Sequence, residues 1–274
     1  MLHETYPIQV EGSQPYARLV TYIQDYSPEI GIKNRKFVLV CPGGGYEFTS
    51  DREAEAMALQ FVAMGHHAAV LRYSVAPAKY PTALLEVAKS IKLIREHAEE
   101  WNVDADKIVV EGCSAGGHLT ASYGTYWKES FVAEAMGIQD AETAERLLKP
   151  NGLILSYPVI TSGEFAHRGS YVSLLGERQE ELNDAMSLEK HVNKNVPPVF
   201  IWHTFTDELV PVENSLLYVA ALRRENISTE FHMFPKGGHG LALANELTAT
   251  PDGGAYMPDC SVWMSLVKTW LKNL

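Results

Sequence analysis

Cysteine is scarce in this chain. Cys41, Cys113 and Cys260 are an odd number at wide spacing, which excludes a disulfide framework and matches no zinc-ligand pattern. Free thiols in a reducing compartment are expected. Basic residues are also in deficit: 23 Lys and Arg stand against 34 Asp and Glu, for a formal net charge of -11 with no basic run. That balance excludes the electrostatic footprint needed for nucleic-acid phosphates or an anionic membrane surface, so neither is expected as a partner. Long apolar runs are missing as well. Nowhere do the roughly 18 consecutive apolar residues of a bilayer span occur, and the start, MLHETYPIQVEG, lacks the basic residues and the apolar stretch of about 7 to 15 residues of a secretory signal. A cytoplasmic location is the expectation. Repeats and low-complexity tracts are absent.

What is present is a rhythm. With 274 residues, 46% of them hydrophobic, the chain can bury a sizeable core, and a single domain over 1–274 is expected. From residue 36 onward, short apolar runs alternate with stretches of helical period. Strands are expected at 36–41, 67–73, 107–113, 152–158, 197–204 and 229–235. Helices are expected from Ser50 or Asp51 to Met64, over 80–101, from Ala115 to about Trp127, over 212–226, and within 261–273. Residues 159–196, polar and turn-rich, interrupt the rhythm and are expected to form a cap-like insertion. Alternating strands and helices imply an α/β fold, a mostly parallel sheet with helices on both faces.

One octet carries the chemistry. Glu111-Gly112-Cys113-Ser114-Ala115-Gly116-Gly117-His118 contains G-x-S-x-G between an expected strand and an expected helix. In that context small flanking residues allow a sharp turn that presents the central side chain. Ser114 is at the centre and Cys113 is not, so Ser114 is the expected nucleophile. Its hydroxyl needs a base, and the base needs an orienting acid. In a sheet of this type the partners follow in the order Ser, Asp or Glu, His, on loops after later strands. Of ten histidines, His239 in PKGGHGLALA lies just after the strand 229–235, between glycines. His232 falls inside that strand, and His66, His67, His118 and His203 fall on or beside regular elements before or at the wrong end of the order. Asp207 in HTFTDELVP follows the strand 197–204 and is preferred to its neighbour Glu208 for its shorter side chain in the turn; Asp252 and Asp259 come after His239.

An oxyanion needs preorganised donors. The glycines of CPGGGYEF at 41–48 are expected to aim the Gly44 and Gly45 amides at the site, beside that of Ala115. A phosphate cradle is disfavoured, because no Lys-Ser or Lys-Thr follows and G-x-G-x-x-G is absent. No histidine and carboxylate spacing forms a metal site, and no cofactor is required. Tyr46, Tyr157 and Trp202, near strand ends, are candidates for stacking on a sugar.

Together CPGGGY, GCSAGGHL, WHTFTDELVPVENS and GGHGLALA resemble the α/β-hydrolase superfamily, within it the esterases and lipases with an HGGG-type oxyanion loop, and more narrowly the small bacterial acetyl esterases related to acetylxylan esterases. The resemblance implies an eight-stranded sheet, a small helical cap, and hydrolysis of short-chain esters such as acetyl groups on small sugars or xylo-oligosaccharides. The sequence departs at Pro42, where the HGGG pattern has histidine, so proline rigidity is expected to replace that histidine's hydrogen bonds. A peptidase of the prolyl-oligopeptidase type would share the triad but needs a large additional domain. A non-catalytic binding protein on the same fold would usually have lost a triad member.

Overall fold

Along strand β3, Arg35–Cys41, the side chains of Phe37, Leu39 and Cys41 enter one hydrophobic cluster and those of Val38 and Val40 another. Strand β5, Val103–Cys113, divides the same way, Ile108 and Val110 to one side, Val109 and Cys113 to the other. Period-2 alternation between two apolar clusters is what makes such a strand read as a continuous hydrophobic run, because both of its faces are covered.

The computed structural model describes residues 1–274. Its eight-stranded sheet has the order β1 (Thr5–Pro7), β2 (Arg18–Tyr22), β4 (His67–Arg72), β3, β5, β6 (Gly152–Ser156), β7 (Val199–Thr204), β8 (Thr229–Phe234). The pairs β1/β2 and β2/β4 are antiparallel and every other pair is parallel. On one face pack α1 (Glu55–Ala63) and α11 (Trp263–Asn273), through Met57, Phe61, Trp263, Val267 and Leu271. On the other pack α2 (Thr82–Glu96), α4 (Ala115–Tyr126) and α9 (Glu213–Arg224), through Leu84, Ile91, Leu119, Tyr123, Tyr218 and Leu222. Shorter helices complete the chain: α3 (Ala98–Trp101), α5 (Ser130–Ala135), α6 (Ala141–Leu148), α7 (Arg168–Leu175), α8 (Gln179–Leu182) and α10 (Pro258–Ser261).

The mostly parallel α/β sheet follows the sequence pattern, and the six expected strands agree within a few residues. The first two strands do not emerge from that pattern, since β1 is only three residues long and β2 five. The helix expected from Ser50 or Asp51 begins at Glu55, with Ala54 held out of helical geometry at φ -111°, ψ -103°. Its expected first turn is occupied elsewhere: Arg52 and Glu53 reach into the neighbouring loops described below. The helix expected over 80–101 divides at His97 into α2 and α3, and Asn102 closes α3 at φ 55°.

Residues 159–196 hold α7, α8 and two 3-10 turns. The buried Asn214 of α9 anchors them: its Oδ1 accepts from the amides of Ile160 and Thr161 at 2.9 and 3.0 Å, and its Nδ2 donates to Phe165 O at 2.9 Å. This segment therefore sits by the carboxyl ends of the parallel strands, where ligands bind in open α/β sheets. No helix is long and apolar enough to cross a membrane.

Candidate active site

β5 ends at Cys113 and α4 starts at Ala115, so Ser114 alone makes the turn between them, at φ 53° and ψ -117°. A non-glycine residue in this region is strained. The surroundings hold it there. A side chain at Gly112 would overlap the Gly116 carbonyl, one at Gly116 would overlap the Cys41 carbonyl, and one at Gly117 would approach Pro158 Cβ to 2.7 Å. Only hydrogen fits at these three positions, and the chain turns tightly enough for the Ser114 amide to donate to Ser156 O at 2.9 Å.

The ends of three strands bring three side chains into line. Ser114 Oγ lies 2.7 Å from His239 Nε2, and His239 Nδ1 lies 2.6 Å from Asp207 Oδ2. With the imidazole neutral, Nδ1–H donates to the carboxylate and Nε2 accepts the serine hydroxyl. Asp207 is fully engaged. Its Oδ1 accepts the amides of Leu209 and Val210, each at 3.0 Å, and Oδ2 accepts a second histidine, His203 Nε2, at 3.2 Å. Burial acts to raise the Asp207 carboxyl, but the hydrogen bonds from His203 and His239 outweigh it and hold the group far below the usual carboxylate range, so it is an anion. Glu208 is exposed.

Cys113 is fully buried behind the turn, with Sγ 3.3 Å from Glu111 Oε1. Burial, and after it the neighbouring Glu111, pushes its thiol well above the usual range. A thiol kept protonated is not a nucleophile.

The glycine loop packs directly on the serine: a Cβ at Gly43 would stand 2.9 Å from Ser114 Cβ. Gly44 and Gly45 take φ 127° and 65°, which free their amides from any ladder, and Ala115 as the first residue of α4 has no intrahelical acceptor for its own. Hydrogen bonds with other residues also hold this loop where the HGGG pattern has histidine. The Gly43 amide donates to Glu53 Oε2 at 2.9 Å and the Tyr73 hydroxyl donates to Pro42 O at 2.6 Å. Glu53 also accepts the Tyr157 hydroxyl at 2.8 Å, and that hydroxyl accepts the Ala242 amide at 2.9 Å, so one buried carboxyl ties the glycine loop to the segment that carries His239. Arg52 reinforces the tie through Gly240 O at 2.9 Å and Thr248 O at 2.7 Å. A cavity of about 440 Å³ opens over Ser114 and His239, lined also by Glu47, Phe48, His167 and Leu209.

The BD-FAE family model matches residues 23–222. The chain belongs to the BD-FAE family. Among curated relatives, endo-1,4-beta-xylanase B of Butyrivibrio fibrisolvens is 40% identical over 231 residues, 81% of this chain and 35% of that protein. An acetylxylan esterase of Xylanibacter ruminicola is 27% identical over 209 residues, 74% of this chain and 40% of that protein. The chain thus spans well under half the length of these two relatives. Solved structures with the same α/β-hydrolase fold include an acetyl ester-xyloside bifunctional hydrolase from Caldicellulosiruptor lactoaceticus (TM-score 0.82, 36% identity, 95% of this chain and 89% of that one) and the carboxylesterase Cest-2923 from Lactobacillus plantarum (TM-score 0.83, 28% identity, 100% and 98%).

In this BD-FAE member the three aromatic residues expected to stack on a sugar do not face the cavity. Tyr46, Tyr157 and Trp202 are all core side chains, at most 2% exposed. Tyr46 donates to His118 Nδ1 at 2.9 Å, Tyr157 serves Glu53 and packs edge-on against His239, and Trp202 stacks on Trp263 and donates to Ser156 Oγ. Their positions near strand ends misled because those ends are themselves roofed by the loops of the site. Glu53, Arg52, His203 and His167 escaped the sequence reading. Glu53 reads there as a first-turn helix acid, and His203 as a strand residue whose contact with Asp207 four positions on depends on how the chain turns after β7.

Proposed function

We propose that this chain is a serine carboxylic-ester hydrolase acting on short-chain, chiefly acetyl, esters of small sugars such as xylo-oligosaccharides. The observation that carries the reading is the unbroken line from Asp207 Oδ2 through His239 to Ser114 Oγ, at 2.6 and 2.7 Å. As Ser114 Oγ attacks the ester carbonyl carbon, its proton passes to His239 Nε2, and Asp207 stabilises the resulting imidazolium without taking the proton. The tetrahedral oxyanion is held by the amides of Ala115, Gly44 and Gly45, since preorganised donors stabilise charge as it develops. The intermediate collapses with cleavage of the bond to the alcohol oxygen, which takes the proton from His239 and leaves. Water then attacks the acyl-enzyme, giving one proton to His239. Its collapse returns that proton to Ser114 Oγ and releases the acid.

The acetyl-sugar part of the reading is supported by the names of relatives, an acetylxylan esterase and an acetyl ester-xyloside bifunctional hydrolase, and by a cavity whose only large apolar linings are Phe48 and Leu209. A site for long acyl chains gains about 0.8 kcal/mol for each methylene it buries and needs an apolar wall to do so. The test is kcat/KM for acetate, butyrate and octanoate p-nitrophenyl esters and for acetylated xylobiose, with Ser114→Ala and Cys113→Ala beside the natural chain. Acetate is expected to be cleaved well, with a fall beyond butyrate. Ser114→Ala should drop turnover to background while Cys113→Ala keeps most of it. The reverse pattern of variants would overturn the nucleophile, and a preference for octanoate would overturn the substrate class.

A further inference from the structure

The cavity over Ser114 holds a second histidine that the triad does not use. His167 lines it together with Glu47, Ser50 and Arg52. Its ring is the N-cap of α7, with Nδ1 accepting from the Ser170 amide at 3.4 Å and lying 2.8 Å from Ser170 Oγ. An amide can only donate, so Nδ1 is the acceptor, and in the neutral ring Nε2 carries the hydrogen. Burial, and after it the nearby His239, lowers the pKa of His167, which keeps the ring neutral. All its hydrogen bonds within the fold run through Nδ1. Helix capping therefore leaves one N–H donor with no partner in the fold, on a ring that lines the same cavity as Ser114. Glu47, on the glycine loop, adds acceptor oxygens to the same cavity, one of them held by Ser173 Oγ of α7 at 3.4 Å. A donor and an acceptor lining one cavity with little apolar wall match neither an acyl chain nor a hydrocarbon alcohol. They match a group that both accepts and donates hydrogen bonds.

We infer that His167 and Glu47 form the subsite for the alcohol half of the ester and select a polyhydroxy alcohol, His167 Nε2–H donating to a hydroxyl or ring oxygen and Glu47 accepting a hydroxyl hydrogen. The inference rests on the ester-hydrolase reading and deepens it. Both residues determine specificity and take no part in proton transfer to the leaving oxygen.

His167→Ser is the decisive variant, because serine is itself a preferred N-cap and keeps α7 closed while removing the distal donor. Glu47→Ala is its companion. Each is assayed for kcat/KM on acetylated xylobiose and on p-nitrophenyl acetate, whose leaving group has no hydroxyl to offer once bonded, with Tm recorded. Loss of one hydrogen bond of this kind should lower the ratio of sugar to aryl kcat/KM about tenfold in either variant, carried mainly by KM. An unchanged ratio, whether Tm holds or falls, would reduce His167 to a cap and overturn the inference. Equal loss on both substrates would overturn it too. If the natural chain cleaves the aryl acetate and no acetylated sugar, this inference falls and the ester-hydrolase reading stands; if it cleaves neither, both fall.

Discussion

Asp207 accepts hydrogen bonds from two histidines on the same oxygen, and the difference between those histidines defines the residue scale of this site. His203 is fully buried, its Nε2–H shared between Asp207 Oδ2 and Val210 O at 2.9 Å and its Nδ1 bonded to Ser215 Oγ at 2.8 Å. It is fixed on every side and holds the carboxylate still. His239 has one nitrogen on the carboxylate and the other on Ser114, the position that the proposed mechanism requires of its base. An amide at position 207 can present its N–H₂ where Oδ2 accepted, which favours the His239 tautomer with hydrogen on Nε2, the wrong one for a base. Asp207→Asn is therefore expected to lower kcat by up to about ten-thousandfold, as in the serine-protease triad. Glu208→Gln, at an exposed neighbour, should stay near the natural rate; steady-state kinetics that reverse this order would reassign the acid. Ser114, Asp207 and His239 could be picked out in the sequence because each follows an expected strand. His203 and Glu53 could not, since their partners are fixed by how separate loops meet.

At the strand-to-helix turn two elements pack closely. Helix α4 enters so close to the end of β3 that a Cβ at Gly116 would overlap the Cys41 carbonyl and stand 2.5 Å from Pro42 O. Both are backbone atoms, with no flexible end to swing aside. Gly45 presents the opposite case, with open space around it but φ at 65°. Gly116→Ala is expected to cost about 3 kcal/mol, the upper part of the range for overpacking, and Gly45→Ala about 1–2 kcal/mol, the penalty of a left-handed backbone for an L-residue. Urea midpoints at constant slope measure both, and an equal cost would contradict the close approach of α4 and β3. The G-x-S-x-G spacing pointed to this turn because steric demand at two glycines leaves a mark in sequence. The late start of α1 left none: Arg52 and Glu53 look like helix-start residues, yet their side chains bind Gly240, Thr248 and Gly43, and such tertiary contacts override local propensity.

At the scale of the whole molecule, the two apolar clusters meet across the sheet, and the carboxyl of Glu111 is trapped in that interior. It is fully buried; Oε1 accepts from Ser156 Oγ at 3.0 Å and from Cys113 Sγ, while Oε2 has no partner. Burial pushes its pKa up to about 8 against the lowering effect of those two bonds. Below that value the folded chain holds a proton on Glu111, whereas the unfolded chain releases it above about 4.3. Between these limits the folded state binds more protons than the unfolded one, so this group's contribution to stability is fully present below the lower limit and lost as pH rises toward 8, at up to about 1.4 kcal/mol per pH unit. Asp207 has the opposite sign, its contribution present above the ordinary aspartate pKa and lost in acid, and His66, His67 and His118, lowered to about 4 chiefly by burial, titrate below pH 6.5, so the Glu111 contribution is isolated by difference against a variant that lacks only that carboxyl. Glu111→Gln removes the titration while keeping an oxygen for Ser156. The difference in unfolding free energy between the natural chain and Glu111→Gln, measured by urea denaturation at pH 5, 6, 7 and 8, should move steadily against the natural chain as pH rises and level off above 8. A difference independent of pH would mean that Glu111 is ionised throughout, and that a buried anion lies against Cys113 and Ser156.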